Sequence, residues 1–152
     1  MNRKSKLTEW EKLFMPILKK KHKNHAKKTF HRLMKKSSTL KTSLKRRSRE
    51  YEVEFDMTLD EVRVMLLKSY GSGCKYCGIT LVIKNMVCDH LEPISNGGPS
   101  IKSNLQMICA RCNTRKGPLT HEEYVTVCTW LDEQSDDLKA YVYRKLAMAD
   151  LT

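Results

Sequence analysis

The chain has 152 residues, 40% hydrophobic and 30% charged, with 29 Lys and Arg against 17 Asp and Glu for a formal net charge of +12. That length buries one modest core, or a small core with an extended arm, and no apolar run approaches the roughly 20 residues that cross a bilayer. Residues 1–6 are basic and polar and lead into no long apolar stretch. The absence of a signal-peptide pattern points to a cytoplasmic setting (host cytoplasm for a phage product), where cysteines serve metals rather than disulfides.

Charge is unevenly spread. Residues 1–50 hold 18 Lys and Arg against 3 acids, a net of +15, while residues 51–152 hold 11 against 14, a net of −3. A polycationic arm beside a slightly acidic domain is the electrostatic footprint of a nucleic-acid binder, because each cation that meets a phosphate releases counterions. Arg46, Arg47 and Arg49 close the arm and are expected on DNA.

In chain order, Thr8-Glu9-Trp10-Glu11 fits a capping box and predicts a helix start, with Pro16 expected to kink or divide the helix. Residues 17–36 continue it with basic residues on most faces and few apolar anchors (Leu18, Phe30, Leu33, Met34), the profile of a helix lying on phosphates. Ser37-Ser38-Thr39 reads as a break and a new cap for 40–49. Residues 50–56 alternate apolar and acidic, which predicts a short strand. Thr58-Leu59-Asp60-Glu61 is a second capping box. It opens a helix with Leu59, Val62, Met65 and Leu66 at helical spacing, ended by Gly71-Ser72-Gly73. Two strands, 80–83 and 86–88, are expected about a turn at Lys84-Asn85, followed by a loop at 96–99. Residues 105–108 read as a strand and 109–116 as a short helix stopped by Gly117-Pro118. Thr120 to Glu123 forms a third capping box, ahead of closing helices at 121–134 and 136–149. The organisation that follows is a basic helical arm (1–50), a central domain (51–120) and two packing helices (121–152).

The densest signal is chemical. Cys74-x2-Cys77 and Cys109-x2-Cys112 have the spacing with which paired knuckles place four thiolates on one tetrahedral structural Zn²⁺. Between them lies Asp89-His90, a carboxylate beside an imidazole. Cys88 and Cys128 are unpaired and read as small apolar residues.

These residues, with the run from Val87 through Asp89-His90-Leu91-Glu92-Pro93 to Gly97-Gly98, then Ser103-Asn104-Leu105-Gln106, then Cys109-Ala110-Arg111-Cys112-Asn113 to Lys116-Gly117, resemble the HNH endonucleases. About residues 58–120 carry the resemblance, and the basic lead-in is similar to that of phage and homing-type members. It implies an α+β fold built on a zinc-stapled ββα-metal unit. It implies metal-dependent hydrolysis of DNA, double-stranded by expectation, leaving a 5′ phosphate and a 3′ hydroxyl.

Phosphodiester cleavage needs an activated water, a neutralised phosphate and a stabilised leaving oxygen. A neutral imidazole suits proton abstraction near pH 7, and a carboxylate suits a hard divalent ion. Carried over by position, His90 is the general base and Asp89 a metal ligand. Asn104 is the middle Asn that braces the loop and orients the histidine. Asn113 stands where the family has its final His or Asn, the second ligand, so the chain reads H-N-N. An amide oxygen is a poorer ligand than imidazole for soft ions, which favours Mg²⁺ or Mn²⁺. Lys116, Arg115 and Arg111 on the same helix are expected to contact DNA. A monomer would nick and a homodimer would cut both strands. The competing readings are a zinc-stabilised nucleic-acid-binding module, which has no need of Asp89, His90 and Asn113 together, and a phage packaging accessory, which would use the same site and is not separated from a homing-type enzyme by sequence.

Overall fold

The computed structural model describes residues 3–21 and 24–148. Part of the expected 17–36 helix (residues 22 and 23) and the expected helix end at 149 lie outside the described residues. Helix α1 (Arg3–Lys21) runs through Pro16, and Thr8 to Glu11 lies inside it rather than at its start. Helix α2 (Ala26–Glu50) is continuous for 25 residues, so the expected break at Ser37-Ser38-Thr39 does not occur. The hydroxyls turn back on the preceding turn instead. Ser37 Oγ and Ser38 Oγ donate to the Met34 carbonyl at 2.8 and 3.3 Å, and Thr39 Oγ1 donates to that of Lys35 at 3.2 Å. These bonds occupy the side chains that would otherwise cap a new helix.

The buried positions of α2 include Phe30, Leu33, Met34, Ser37, Leu44 and Ser48, recurring every three or four residues along one face. The apolar ones join Leu18, Val62, Leu66, Met86 and Ile108 in one core. Leu18, Phe30, Leu33 and Met34 are therefore core residues, which corrects the expectation of a helix resting on phosphates with few anchors. The cations occupy its remaining faces: Lys27, Lys28, Arg32, Lys35, Lys45, Arg46 and Arg49 are exposed. Deleting residues 1–50 is accordingly expected to unfold the chain. Replacing Lys27, Lys28, Arg32 and Lys35 with Gln should leave the circular dichroism spectrum intact while flattening the salt dependence of DNA binding by up to about 0.9 per lost phosphate contact.

Strand β1 (Phe55–Asp56) is far shorter than the alternation of 50–56 suggests, because α2 extends to Glu50 and Glu52 then takes a left-handed conformation at φ 54°. Helix α3 (Leu59–Ser69) starts on its expected capping box, with the Glu61 N–H donating to Thr58 Oγ1 at 3.2 Å and the Thr58 N–H donating to Glu61 Oε2 at 2.9 Å. The expected strand at 80–83 is absent apart from a single bridge between Gly73 and Thr80. The Asn85 side chain takes the place of a partner strand there, accepting from the Val82 N–H at 2.8 Å and donating to the Thr80 carbonyl at 3.0 Å.

Strand β2 (Met86–His90) leads through a 3₁₀ turn (Ile94–Asn96) to β3 (Ser100–Ile101), which pairs in parallel with β1. A second 3₁₀ turn (Lys102–Asn104) precedes β4 (Leu105–Cys109), antiparallel to β2 with Asp89 opposite Gln106 and His90 opposite Leu105. Helix α4 (Ala110–Lys116) follows β4 without a linker and lies against both strands, completing a ββα unit in an α+β fold. Helices α5 (His121–Asp132), opened by its capping box, and α6 (Asp136–Met148) close the chain near the expected places. No described helix is long and apolar enough to cross a membrane.

Candidate active site and metal centre

The four knuckle cysteines converge, with all their sulfurs within 4.8 Å of one another. Cys77 Sγ and Cys109 Sγ are 3.6 Å apart. Sulfurs on a tetrahedral zinc stand about 3.8 Å apart for bonds of about 2.3 Å, so the donor set fits the ion in number, type and spacing. Local structure builds each half. Gly78, at φ 72°, lets the first knuckle turn so that its N–H reaches the Cys74 carbonyl at 2.8 Å. Cys109 caps α4, with its sulfur accepting from the Cys112 N–H at 3.4 Å. Burial pushes the Cys109 and Cys112 thiols up. For Cys77 burial acts in the same direction, but the Ile79 backbone, the Arg111 guanidinium and the neighbouring sulfurs outweigh it and bring it down to about 6.

At the far end of β2, Asp89 and His90 sit in a cleft of about 330 Å³, lined also by Arg47 and Tyr51 from the end of α2 and its cap and by Asn113 and Thr114 from α4. Both are buried. Adjacent strand residues face opposite ways, and each finds a separate set of partners. Asp89 accepts from Lys116 Nζ at 3.2 Å on one oxygen and from Gln106 Nε2 at 2.9 Å on the other. Gln106 also donates to the Tyr76 hydroxyl at 2.8 Å, which in turn lies 2.8 Å from His121 Nδ1 at the start of α5. His90 Nε2 meets Ser100 Oγ at 2.9 Å, and Ser48 Oγ donates to Ser100 Oγ at 2.7 Å. Burial, the charge of Arg47 and then that of Lys116 hold His90 down near pKa 4, against the opposing pull of Asp89. The ring is therefore neutral at pH 7.

Asn104 braces the connection between β2 and β3. Its Oδ1 accepts from the Glu92 N–H at 2.8 Å, and its Nδ2 donates to the carbonyls of Glu92 at 3.1 Å and Pro99 at 2.9 Å. The same connection needs glycine at 98, where a Cβ would collide with the Glu92 carbonyl.

Residues 74–119 match the HNH endonuclease family model. The matched span begins at the first knuckle cysteine and ends just beyond α4, so it holds the four-sulfur centre and every cleft residue except Arg47 and Tyr51. The match points to nuclease chemistry in this segment. A comparison with curated proteins returned no match.

The sequence-derived residues fall into three groups. His90, Asp89 and Asn113 share the cleft, and Asn104 supports the loop beside it. Lys116 is a correction. Expected on DNA, it is 1% exposed, and its ammonium is held between Asp89 and the His90 carbonyl, 2.8 Å away. A carboxylate pointing from β2 toward α4 draws the lysine inward, and an unpaired Asp89 would be costly at that depth. Of the arm's arginines, Arg47 alone lines the cleft, while Arg46 forms an exposed pair with Glu50 at 2.6 Å. Arg49 is exposed. Ser48, Ser100, Gln106 and Tyr76 were not singled out from sequence. Only Gln106 carried a signal, since strand pairing places it opposite Asp89.

Proposed function

We propose that this chain is a metal-dependent DNA endonuclease of the HNH type, with His90 as the general base. The observation that carries the reading is the convergence of His90, Asp89, Asn113 and Arg47 on one cleft. A neutral imidazole there takes a proton from water, and Arg47 supplies positive charge from the basic helix for a phosphate entering the cleft.

The oxygen donors of Asp89 and Asn113 suit a hard ion. Each carboxylate oxygen of Asp89 has two lone pairs and gives one to a protein donor, so capacity remains for Mg²⁺ or Mn²⁺. When bound, such an ion supplies Lewis-acid stabilisation of the phosphate and the leaving oxygen. Lys116 holds the Asp89 carboxylate and the His90 backbone to one another, fixing the strand end on which both groups depend. The test is incubation of supercoiled plasmid with purified protein and Mg²⁺. Open-circular or linear product supports the reading and separates nicking from double-strand cleavage, whereas intact plasmid across Mg²⁺ and Mn²⁺ refutes it.

The serine pair has a role in this mechanism. For His90 Nδ1 to accept a proton, Nε2 must carry one and donate it to Ser100 Oγ, whose second lone pair takes the Ser48 hydroxyl. Ser100→Ala removes that acceptor. It is expected to lower kcat about fivefold with KM little changed, in line with the loss of one hydrogen bond of about 1 kcal/mol that positions the base. Ser100→Thr, which keeps the hydroxyl, should restore most of the rate if the larger side chain fits. A raised KM at unchanged kcat would mean that the pair shapes the cleft rather than orienting the imidazole.

A further inference from the structure

A second groove lies beside the catalytic cleft, between α4 and α6. Arg111, Thr114 and Arg115 form one wall and Ala140, Tyr143, Arg144 and Ala147 the other, around a volume of about 450 Å³. Thr114 lines both depressions, so the two adjoin it. Three arginines face this groove and no carboxylate does. None of the three takes part in an ion pair among the described residues.

The spacing that builds the groove is helical. Arg111 and Arg115 are one turn apart on α4, and Ala140, Arg144 and Ala147 share a face of α6. The two alanines keep the floor open where longer side chains would fill it. Arg115 lies over the Tyr143 ring, 4.0 Å from its centroid, which fixes the plane of the guanidinium. Arg111 donates to the Cys77 sulfur, tying this wall to the metal centre. Arg111 is balanced in part by the Cys77 sulfur and Arg115 by the Tyr143 ring, while Arg144 has no ion pair among the described residues. A polyanion in the groove would meet all three.

We propose that the groove holds backbone phosphates of the strand being cut, next to the scissile one, with α6 as an outer clamp. The proposal rests on the DNA-nuclease reading above. The nearness of the catalytic cleft, which shares Thr114 with the groove, favours the DNA backbone over an acidic peptide, because a phosphodiester chain leaving that cleft must pass one of its rims. Planar guanidinium groups match phosphate oxygens in pairs, which suits them to such a track.

The experiment compares Arg144→Glu with Lys145→Glu in the full chain. Both make the same charge change one residue apart, but Lys145 lies over Tyr141 rather than in the groove lining. Binding to a short DNA duplex without added Mg²⁺ is followed by fluorescence anisotropy over a salt series, and cleavage with Mg²⁺ gives kcat and KM. Arg144→Glu is expected to weaken binding about tenfold or more. The salt slope should drop by about one phosphate contact, and KM should rise at constant kcat. Lys145→Glu should have a clearly smaller effect. Ala140→Glu, which adds a carboxylate to the same groove at an exposed helix position, should also weaken binding. Equal losses in Arg144→Glu and Lys145→Glu, or no loss in Ala140→Glu, would overturn the groove while leaving the nuclease reading intact. A wild-type chain that neither binds nor cuts DNA would overturn the reading beneath it.

Discussion

His90→Ala should lower the rate of plasmid cleavage by about a hundred- to ten-thousand-fold, the usual range for loss of a general base, with DNA affinity nearly unchanged. The side chain is buried and makes one hydrogen bond, to Ser100, so its removal leaves a small polar void but no unpaired charge. Cleavage at the wild-type rate would remove His90 from the mechanism. The acid limb of the pH profile offers a second check on the same residue. The neutral ring is the active form, and burial, reinforced by Arg47, holds its folded pKa near 4. Activity that depends on the neutral His90 ring should therefore persist well below pH 6.5 and disappear as pH falls toward 4. Folding stability follows the same sign. A ring kept neutral in the fold but free to protonate near 6.5 when unfolded draws the chain toward unfolding as pH drops below that value.

The parts of the fold that sequence revealed are those fixed by local chemistry. The boxes at Thr58 and Thr120 formed as expected because each is closed by a residue three positions away. Thr8 has the same pattern, yet α1 already runs through it from Arg3, so the box marks no boundary there. Ser37, Ser38 and Thr39 were misread because a hydroxyl that caps a new helix and one that bonds back to the previous turn look the same in sequence. The apolar stripe of α2 was hidden by charge. Its anchors are few, but they recur at helical spacing and reach a core supplied mostly by residues beyond Glu50.

The site divides along the same line. Four cysteines in paired knuckles and an Asp-His dipeptide announce themselves. What surrounds them does not, because it is assembled across long separations. Ser48 and Ser100 are 52 residues apart in the chain, and nothing near either residue marks it as the partner of an imidazole. Lys116 looked like a surface cation because it follows Arg115 at the end of a short helix. Its location is decided by a carboxylate 27 residues earlier, which the register of β2 and β4 brings beneath α4.

Removing the metal from the four-sulfur centre should have the largest structural effect. Cys74, Cys109 and Cys112 are all buried, and Cys109 ends β4 while capping α4. The second knuckle is thus hinged on the two elements that carry Gln106, a hydrogen-bond partner of Asp89, and Asn113, which lines the cleft. With the ion gone, buried thiols crowd together with only weak sulfur hydrogen bonds for partners. Binding of structural zinc by small domains is worth about 10–16 kcal/mol at neutral pH, which is as large as or larger than the net stability of a domain of this size, about 5–15 kcal/mol. Protein purified without added metal should contain one zinc per chain, and Cys112→Ser should lose both that zinc and its cooperative thermal transition. Exposed Cys77 is the informative contrast, because Cys77→Ser leaves three buried thiolates and disturbs no packing. It should weaken the site without abolishing the fold. Rebinding of zinc to apoprotein should release protons, because the metal takes thiolates and burial pushes the Cys109 and Cys112 thiols up. If the purified chain held no stoichiometric zinc and melted cooperatively in chelator, the four cysteines would be core thiols, and the geometry of the catalytic cleft would have to be maintained by the packing of α2, α3 and the β2–β4 pair alone.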